Sequence, residues 1–179
     1  MEALEAIKKR YSYRGAYRKV TIPAADLKTV IEAGISAPSG CNRQTTSFIA
    51  VDNPGLVESI MDLIRENGFS GGSPSAGICV LTRRVPAYGD YYFNVQDYAA
   101  AIENMLIAAA ALGYASCWLE GQVTEKAGTQ EMISKLLGVP SEYTVVAFLP
   151  IGIPENESRR PGYKPFPERA WLNSFGNNF

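Results

Sequence analysis

Residues 97–112, DYAAAIENMLIAAAAL, place apolar side chains on almost every side of a helix, interrupted only by Asp97, Glu103 and Asn104. A helix at a protein surface carries one apolar stripe, whereas a helix that is apolar nearly all round has to be covered on several sides. The segment therefore predicts a helix over 95–112 that is central to the fold or to a subunit interface. The rest of the chain has to be assembled around it.

Apolar residues at Leu4 and Ile7 predict a first helix ending near Lys9. Pro23 suits the first turn of a second helix, which would run to about Ala37 with Leu27, Val30, Ile31 and Gly34 on one face. Short apolar runs of strand length at 48–51, 78–82, 116–119 and 144–151 alternate with helical patterns at 56–65, 95–112 and 130–137. This alternation predicts an α/β or α+β mixture. Turn-forming residues gather at 68–74, 84–94 and 154–167, and the last stretch carries Arg159, Arg160 and Lys164 among four prolines. No repeat, low-complexity tract or linker divides the sequence, so one domain over 1–179 is expected.

The chain has 179 residues, enough for one domain that buries roughly two-thirds or more of its unfolded surface. Its 17 basic and 18 acidic residues are spread along the sequence and leave a net charge of -1. That balance lacks the basic footprint of a nucleic-acid or lipid-surface binder. The first residues are charged and amphipathic, and no apolar run approaches about 18 residues, so neither export nor membrane spanning is expected. Cys41, Cys79 and Cys117 are odd in number, contain no CxxC pair and match no metal-ligand spacing, which fits a reducing cytoplasm. Histidine is absent. The commonest general base, metal ligand and nucleophile activator are thereby removed, and any chemistry has to come from elsewhere.

Two polar segments suit a bound group. Arg10, Ser12 and Arg14 alternate, so in an extended chain following the first helix they leave one face together. Two guanidinium groups and a hydroxyl match a phosphate and a polar ring edge, although a solvated basic turn satisfies the same spacing. Pro38, Ser39, Gly40, Asn42 and Gln44 combine close backbone approach with carboxamides that donate and accept, which suits a flat heterocycle with mixed polar edges. A plain turn between helix and strand would use similar residues. Cys41 lies within this segment, but a thiolate needs an activating partner, and only Arg43 or a helix end is available. A catalytic role for Cys41 is not expected.

Three further features are weaker alone. Residues 116–121, SCWLEG, read as a strand that stops at a Glu120-Gly121 turn, where backbone amides and a carboxylate become available. Arg159 and Arg160 offer a second grip on phosphate or are simply exposed, as is Lys164. Tyr88, Tyr91, Tyr92 and Phe93 form an aromatic cluster that either stacks on a planar substrate or packs a loop or interface. Glycine-rich nucleotide loops and Ser-His or Cys-His pairs are missing, which disfavours hydrolysis and kinase-like phosphoryl transfer.

In order and spacing, RYSYR at 10–14, APSGCNRQ at 37–44, the 97–121 segment, and FLPIGIP followed by RRP resemble the FMN-dependent nitroreductases over the whole chain. The resemblance implies an α+β fold, with a central mostly antiparallel sheet flanked by helices. It implies an interlocked homodimer with FMN in each of two interface clefts. Position by position, Arg10 and Ser12, within the segment that includes Tyr11, would hold the FMN phosphate and ribityl chain. Arg14 would face the pyrimidine edge of the ring, where a cation stabilises the charge that reduction creates. Pro38, Ser39, Gly40, Asn42 and Gln44 would come from the second subunit. Glu120 and Gly121 would lie beside flavin N5 and O4, Arg159 or Arg160 would reach the phosphate, and Asn67 is a further candidate for the ring.

Two departures bear on the substrate side. Thr45-Thr46 stands where many relatives have Pro-Trp, and the middle of the chain lacks the longer insertion that often covers the substrate. The implied activity is transfer of reducing equivalents from NAD(P)H through FMN to a nitroaromatic or quinone, with no catalytic side chain required. A flavin destructase, a reductive dehalogenase-like enzyme, and a flavin-binding or redox-sensing protein without turnover are the alternative readings.

Overall fold

The computed structural model describes residues 2–156 and 161–179. Its centre is a three-stranded antiparallel sheet in the order β1 (Thr46–Val51), β2 (Ala76–Thr82), β3 (Thr144–Ile151). Thr46 pairs with Thr82 and Val51 with Gly77 along one ladder; Ala76 pairs with Ile151 along the other. Side chains of β2 alternate between two cores, as the two-residue strand period requires. Ile78 and Val80 point to one, Cys79 and Leu81 to the other. Helices cover both faces, so every side chain of β2 is buried.

The first face carries α2 (Ala24–Ile35) and α4 (Asn94–Ala111). Gly34 permits their approach, since a Cβ there would lie 2.9 Å from a Met105 side-chain carbon. Asn104 seals the crossing by donating to the Ala33 carbonyl at 3.1 Å. The opposite face carries α3 (Pro54–Glu66), α5 (Gly121–Thr124) and α6 (Thr129–Leu137), packed through Val57, Ile60, Ile64, Val123 and Ile133. The N-terminal α1 (Ala3–Lys9) lies against α4.

Most predicted elements agree with these bounds to within two residues, and α5 is an addition. Within one chain α4 buries Ala101, Ile102, Met105, Leu106, Ala109 and Ala110 and leaves 103–104 and 107–108 half-exposed, which fits either a central or an interface helix. One expectation needs correction. The predicted strand at 116–119 is present only as isolated bridges: Leu119 to Phe148 of β3 and Ala115 to Gly152 just beyond it, both antiparallel, and Ser116 to Ser12, parallel. This register sets Cys117 opposite Pro150. The amides of Phe148 and Gly152 both donate to this segment, so the nitrogen of Pro150 faces it too and has no hydrogen to give. The ladder is interrupted at that point, while on its other side β3 stays paired with β2 on both sides of a register shift between Val80 and Leu81. Among the described residues no helix is long and apolar enough to cross a membrane.

Beyond β3, residues 161–179 leave Tyr163, Phe166, Phe175 and Phe179 exposed. Phe166 meets Phe179 edge to face at 5.2 Å, and Trp171 lies 4.2 Å from Phe175, so the rings of the tail pack on one another. The candidate residues Arg159 and Arg160 lie outside the described residues.

Candidate functional site

The first polar segment is extended, as its alternation predicts. Helix α1 stops at Arg10, whose φ of -61° and ψ of 134° turn the chain out of the helix. Ser12 then forms a parallel bridge to Ser116, and the Tyr13 amide donates to the Ser116 carbonyl at 2.9 Å. Tyr13 points inward, 1 % exposed and edge-on to Tyr17 at 5.0 Å. Arg10, Ser12 and Arg14 alternate to the other side and, together with Tyr11, which also meets the Tyr13 ring, line a cavity of about 670 Å³ with Pro161, Gly162 and Tyr163. Burial pushes the Cys117 thiol pKa up, while the charge of Arg14, a hydrogen bond with Ser12 and the charge of Arg10 act in the opposite direction. Three of the predicted side chains thus converge on one point beside the 116–119 segment.

Arg10 is steered by Glu103, whose Oε1 lies 3.1 Å from its Nε. That Nε is buried and has no aligned hydrogen-bond partner among the described residues, and the Ser116 hydroxyl nearby is also buried and unpartnered there. Buried polar atoms in this state are uncommon, and a bound polar group is one explanation for them. Two guanidinium groups, a hydroxyl and a roomy cavity fit a phosphate with a polyhydroxylated chain.

The second segment is a strained loop held from beneath. Cys41, Asn42 and Gln44 have φ values of 49°, 54° and 49°, in a region that non-glycine residues occupy at a cost of about 1–3 kcal/mol each. Several hydrogen bonds hold it there. Buried Asp97 accepts from the Gly40 amide at 2.8 Å through Oδ1 and from the Thr45 hydroxyl at 2.7 Å through Oδ2. The Gln44 amide donates to the Ser39 hydroxyl at 3.0 Å, and the Gln44 carboxamide donates to Asn42 Oδ1 at 3.3 Å. A plain turn needs no buried carboxylate beneath it. Pro38, Asn42 and Gln44 are exposed and Ser39 and Gly40 half-buried, all within one short loop.

Glu120 is half-buried at the start of α5. The hydroxyl of Tyr98, one residue after Asp97, donates to its Oε1 at 2.7 Å. Burial, then this bond, raise the Tyr98 phenol pKa and keep it a donor. The Glu120-Gly121 turn is therefore the start of a short helix, its carbonyl accepting from the Val123 and Thr124 amides at 2.8 Å. Asn67 has a different task. Its carboxamide nitrogen donates to the Gln122 carbonyl at 2.6 Å and to Thr129 at 2.9 Å, so its donors tie α5 and α6 to the end of α3.

Within one chain α4 separates the two segments. Asp97 carries the 38–44 loop and Glu103 meets Arg10; these positions are about 9 Å apart along the axis and about 120° apart around it. The cavity beside Arg10 accordingly includes none of residues 38–44.

Sequence reasoning missed Asp97, Tyr98 and Thr45 as site supports. Asp97 left a usable signal: a carboxylate on a nearly apolar helix must find donors if it is buried. Tyr98 left none, because its phenol and its apolar ring both suit a covered helix.

Comparison with known proteins agrees with this architecture. A solved nitroreductase with bound FMN from Bacteroides fragilis is 30% identical, with a TM-score of 0.78 over 97% of this chain and 100% of that one. A BluB-like flavoprotein from Clostridium difficile shares the fold at a TM-score of 0.81 and 24% identity, over 97% of this chain and 100% of that one. A protein of Archaeoglobus fulgidus, provisionally named NADH dehydrogenase/NAD(P)H nitroreductase, is 30% identical over 158 residues, 87% of each chain. The family model described as the nitroreductase family matches residues 7–78 and 69–153, a span that takes in the extended Arg10–Arg14 segment, the Asp97-held loop and the Glu120 turn. With its α+β fold and these relatives, the chain belongs to the nitroreductase family.

Proposed function

We propose that the chain is an FMN-dependent oxidoreductase that takes reducing equivalents from NADH or NADPH and passes them to a small acceptor such as a nitroaromatic or a quinone. The observation that carries this reading is the convergence of Arg10, Ser12 and Arg14 on one cavity, with the buried and unpartnered Ser116 hydroxyl nearby. The names of the relatives supply the cofactor and the nicotinamide donor.

When bound, FMN supplies hydride and electron transfer, for which the protein needs no nucleophile of its own. Arg10 and Ser12 would hold the phosphate and ribityl chain, while Arg14 would place a fixed cation at the ring edge that becomes negative on reduction. Glu120, its carboxylate oriented by Tyr98, and Gly121 would border the ring. Pro38, Ser39, Gly40, Asn42 and Gln44 would close the cleft from the partner subunit, because α4 stands between the two segments of one chain. The exposed aromatic residues of the tail support such a homodimer, since large exposed apolar surfaces commonly mark association sites. The free thiols at Cys41, Cys79 and Cys117 suit a reducing, cytoplasmic setting.

The test is anaerobic. Purified protein, supplied with FMN, is expected to bind it and show a yellow flavin spectrum that NADH or NADPH bleaches and menadione restores. Failure to take up FMN would overturn the reading. Uptake without bleaching by either nucleotide would leave a flavin-binding protein without this turnover.

A further inference from the structure

The loop between β2 and α4 rests at three points on the 40–45 segment. At its start, the Arg83 amide donates to the Thr45 carbonyl at 3.0 Å. At its end, Phe93 packs on Gly40 so closely that a Cβ on the glycine would lie 2.4 Å from the ring. In the middle, Arg43 donates twice to the carbonyl of buried Ala87, from Nε at 3.0 Å and from Nη2 at 2.7 Å. A guanidinium can grip one oxygen through two nitrogens and an ammonium cannot, so the residue type matters at this contact.

Above the Arg43 contact the loop is a tight turn. The Ala87 amide donates to the Tyr91 carbonyl at 2.7 Å, and the Tyr91 amide to the Tyr88 carbonyl at 3.0 Å. The turn sets the Tyr88 and Tyr91 rings 4.8 Å apart, with more than half of each residue exposed. Arg84 stacks over Tyr92 at 4.2 Å. The outcome is an aromatic, phenol-bearing face whose position is fixed relative to the 38–44 loop. Asp90 at the tip of the turn is exposed and opposes the nearby positive charges, which favours a neutral ring over a strongly anionic one.

We propose that Arg43 is a positioning residue for the electron acceptor: its double hydrogen bond to Ala87 sets the Tyr88–Tyr91 face beside the cleft, where it receives flat aromatic acceptors bearing carbonyl or nitro oxygens. The inference rests on the oxidoreductase reading, because it assigns an acceptor class to that same site. Stacking on tyrosine supplies the attraction, and the phenol groups can donate to the acceptor's oxygens.

The test uses the FMN-loaded protein with Arg43→Ala and Arg43→Lys. Menadione and ferricyanide serve as acceptors, the second being a compact ion with no ring to stack. For Arg43→Ala the KM for menadione is expected to rise by about fivefold or more, since loss of a charged hydrogen bond is commonly worth that much. Its kcat, the KM for ferricyanide and the FMN dissociation constant are expected to stay within about twofold, an effect of well under 1 kcal/mol. Arg43→Lys, retaining a single-point contact, should fall between Arg43→Ala and the parent. Independently of turnover, amide hydrogen exchange across 84–92 is expected to accelerate in Arg43→Ala while the β2 and α4 cores stay protected. An unchanged menadione KM, an equal loss with ferricyanide, or weakened FMN binding would overturn the proposal. If the parent protein takes up no FMN, the function reading fails, and exchange across 84–92 still decides whether Arg43 holds the loop: unchanged exchange overturns that too.

Discussion

Replacing Asp97 with alanine is expected to weaken FMN binding by at least about a hundredfold and to lower stability by about 3 kcal/mol or more, since two hydrogen bonds to a buried charged group are lost together. Those bonds come from the Gly40 amide and the Thr45 hydroxyl, at opposite ends of the strained stretch. Without them both donors are left unsatisfied, and Cys41, Asn42 and Gln44 lose the anchor that holds their positive φ values. Relaxation of the loop would scatter the carboxamides. The milder change Asp97→Asn keeps the shape but leaves only one accepting atom and brings two hydrogens to a site built from donors. It is expected to recover a minor part of the loss. Urea denaturation followed by circular dichroism reads the stability effect, and quenching of free FMN fluorescence reads the binding. Parent-like FMN affinity in Asp97→Ala would remove the loop from the cofactor site.

The double variant Arg10→Ala with Arg14→Ala is expected to weaken FMN binding by about 10²–10⁴-fold, because each charged hydrogen bond is worth about 1.5–3 kcal/mol. Its folding should differ from the parent only slightly. The Arg10–Glu103 pair has one partner 44% exposed, and exposed ion pairs contribute about 0–1 kcal/mol at most. Arg14 is exposed, and its side-chain hydrogen bond within the chain reaches the Ser12 carbonyl at the long distance of 3.5 Å. The contrast with Asp97 is diagnostic. One change removes ligands and spares the fold; the other removes a support and harms both. A double arginine variant that binds FMN like the parent would contradict the assigned phosphate grip.

The structure also indicates why sequence legibility differed along the chain. Strand β3 and helix α4 were readable because a long apolar pattern has few other places to go, and tertiary packing agreed with it. The 116–119 run was apolar enough for a strand. Its interruption arises from Pro150, far away in sequence, whose missing hydrogen matters only after the register is known. The outer face of α4 is legible only in part: small and apolar side chains report that something covers the helix, without saying whether it belongs to the same chain.

Site residues followed the same division. Arg10, Ser12 and Arg14 were legible because alternation has a direct meaning in an extended segment. The 38–44 loop was ambiguous by itself, since Ser, Gly and Asn also build ordinary turns. Its ambiguity narrowed once Asp97 was found beneath it, a contact spanning 57 residues. Thr45 has a clear use as the second donor to that carboxylate. Arg43 gave no sequence signal, because its partner is the main-chain carbonyl of Ala87 and any residue type supplies one.

The central claim is that one cleft takes Arg10, Ser12 and Arg14 from one subunit and the 38–44 loop from the other. It is tested most directly by co-expressing the double arginine variant with Asp97→Ala, neither of which is expected to retain FMN alone, and measuring the FMN bound to the mixture. In a randomly paired homodimer population, half of the dimers combine the two variants, and each of these carries one intact cleft, so about a quarter of the parent's FMN should be recovered. No recovery, from variants shown to form mixed dimers, would mean that both segments have to reside in the same chain.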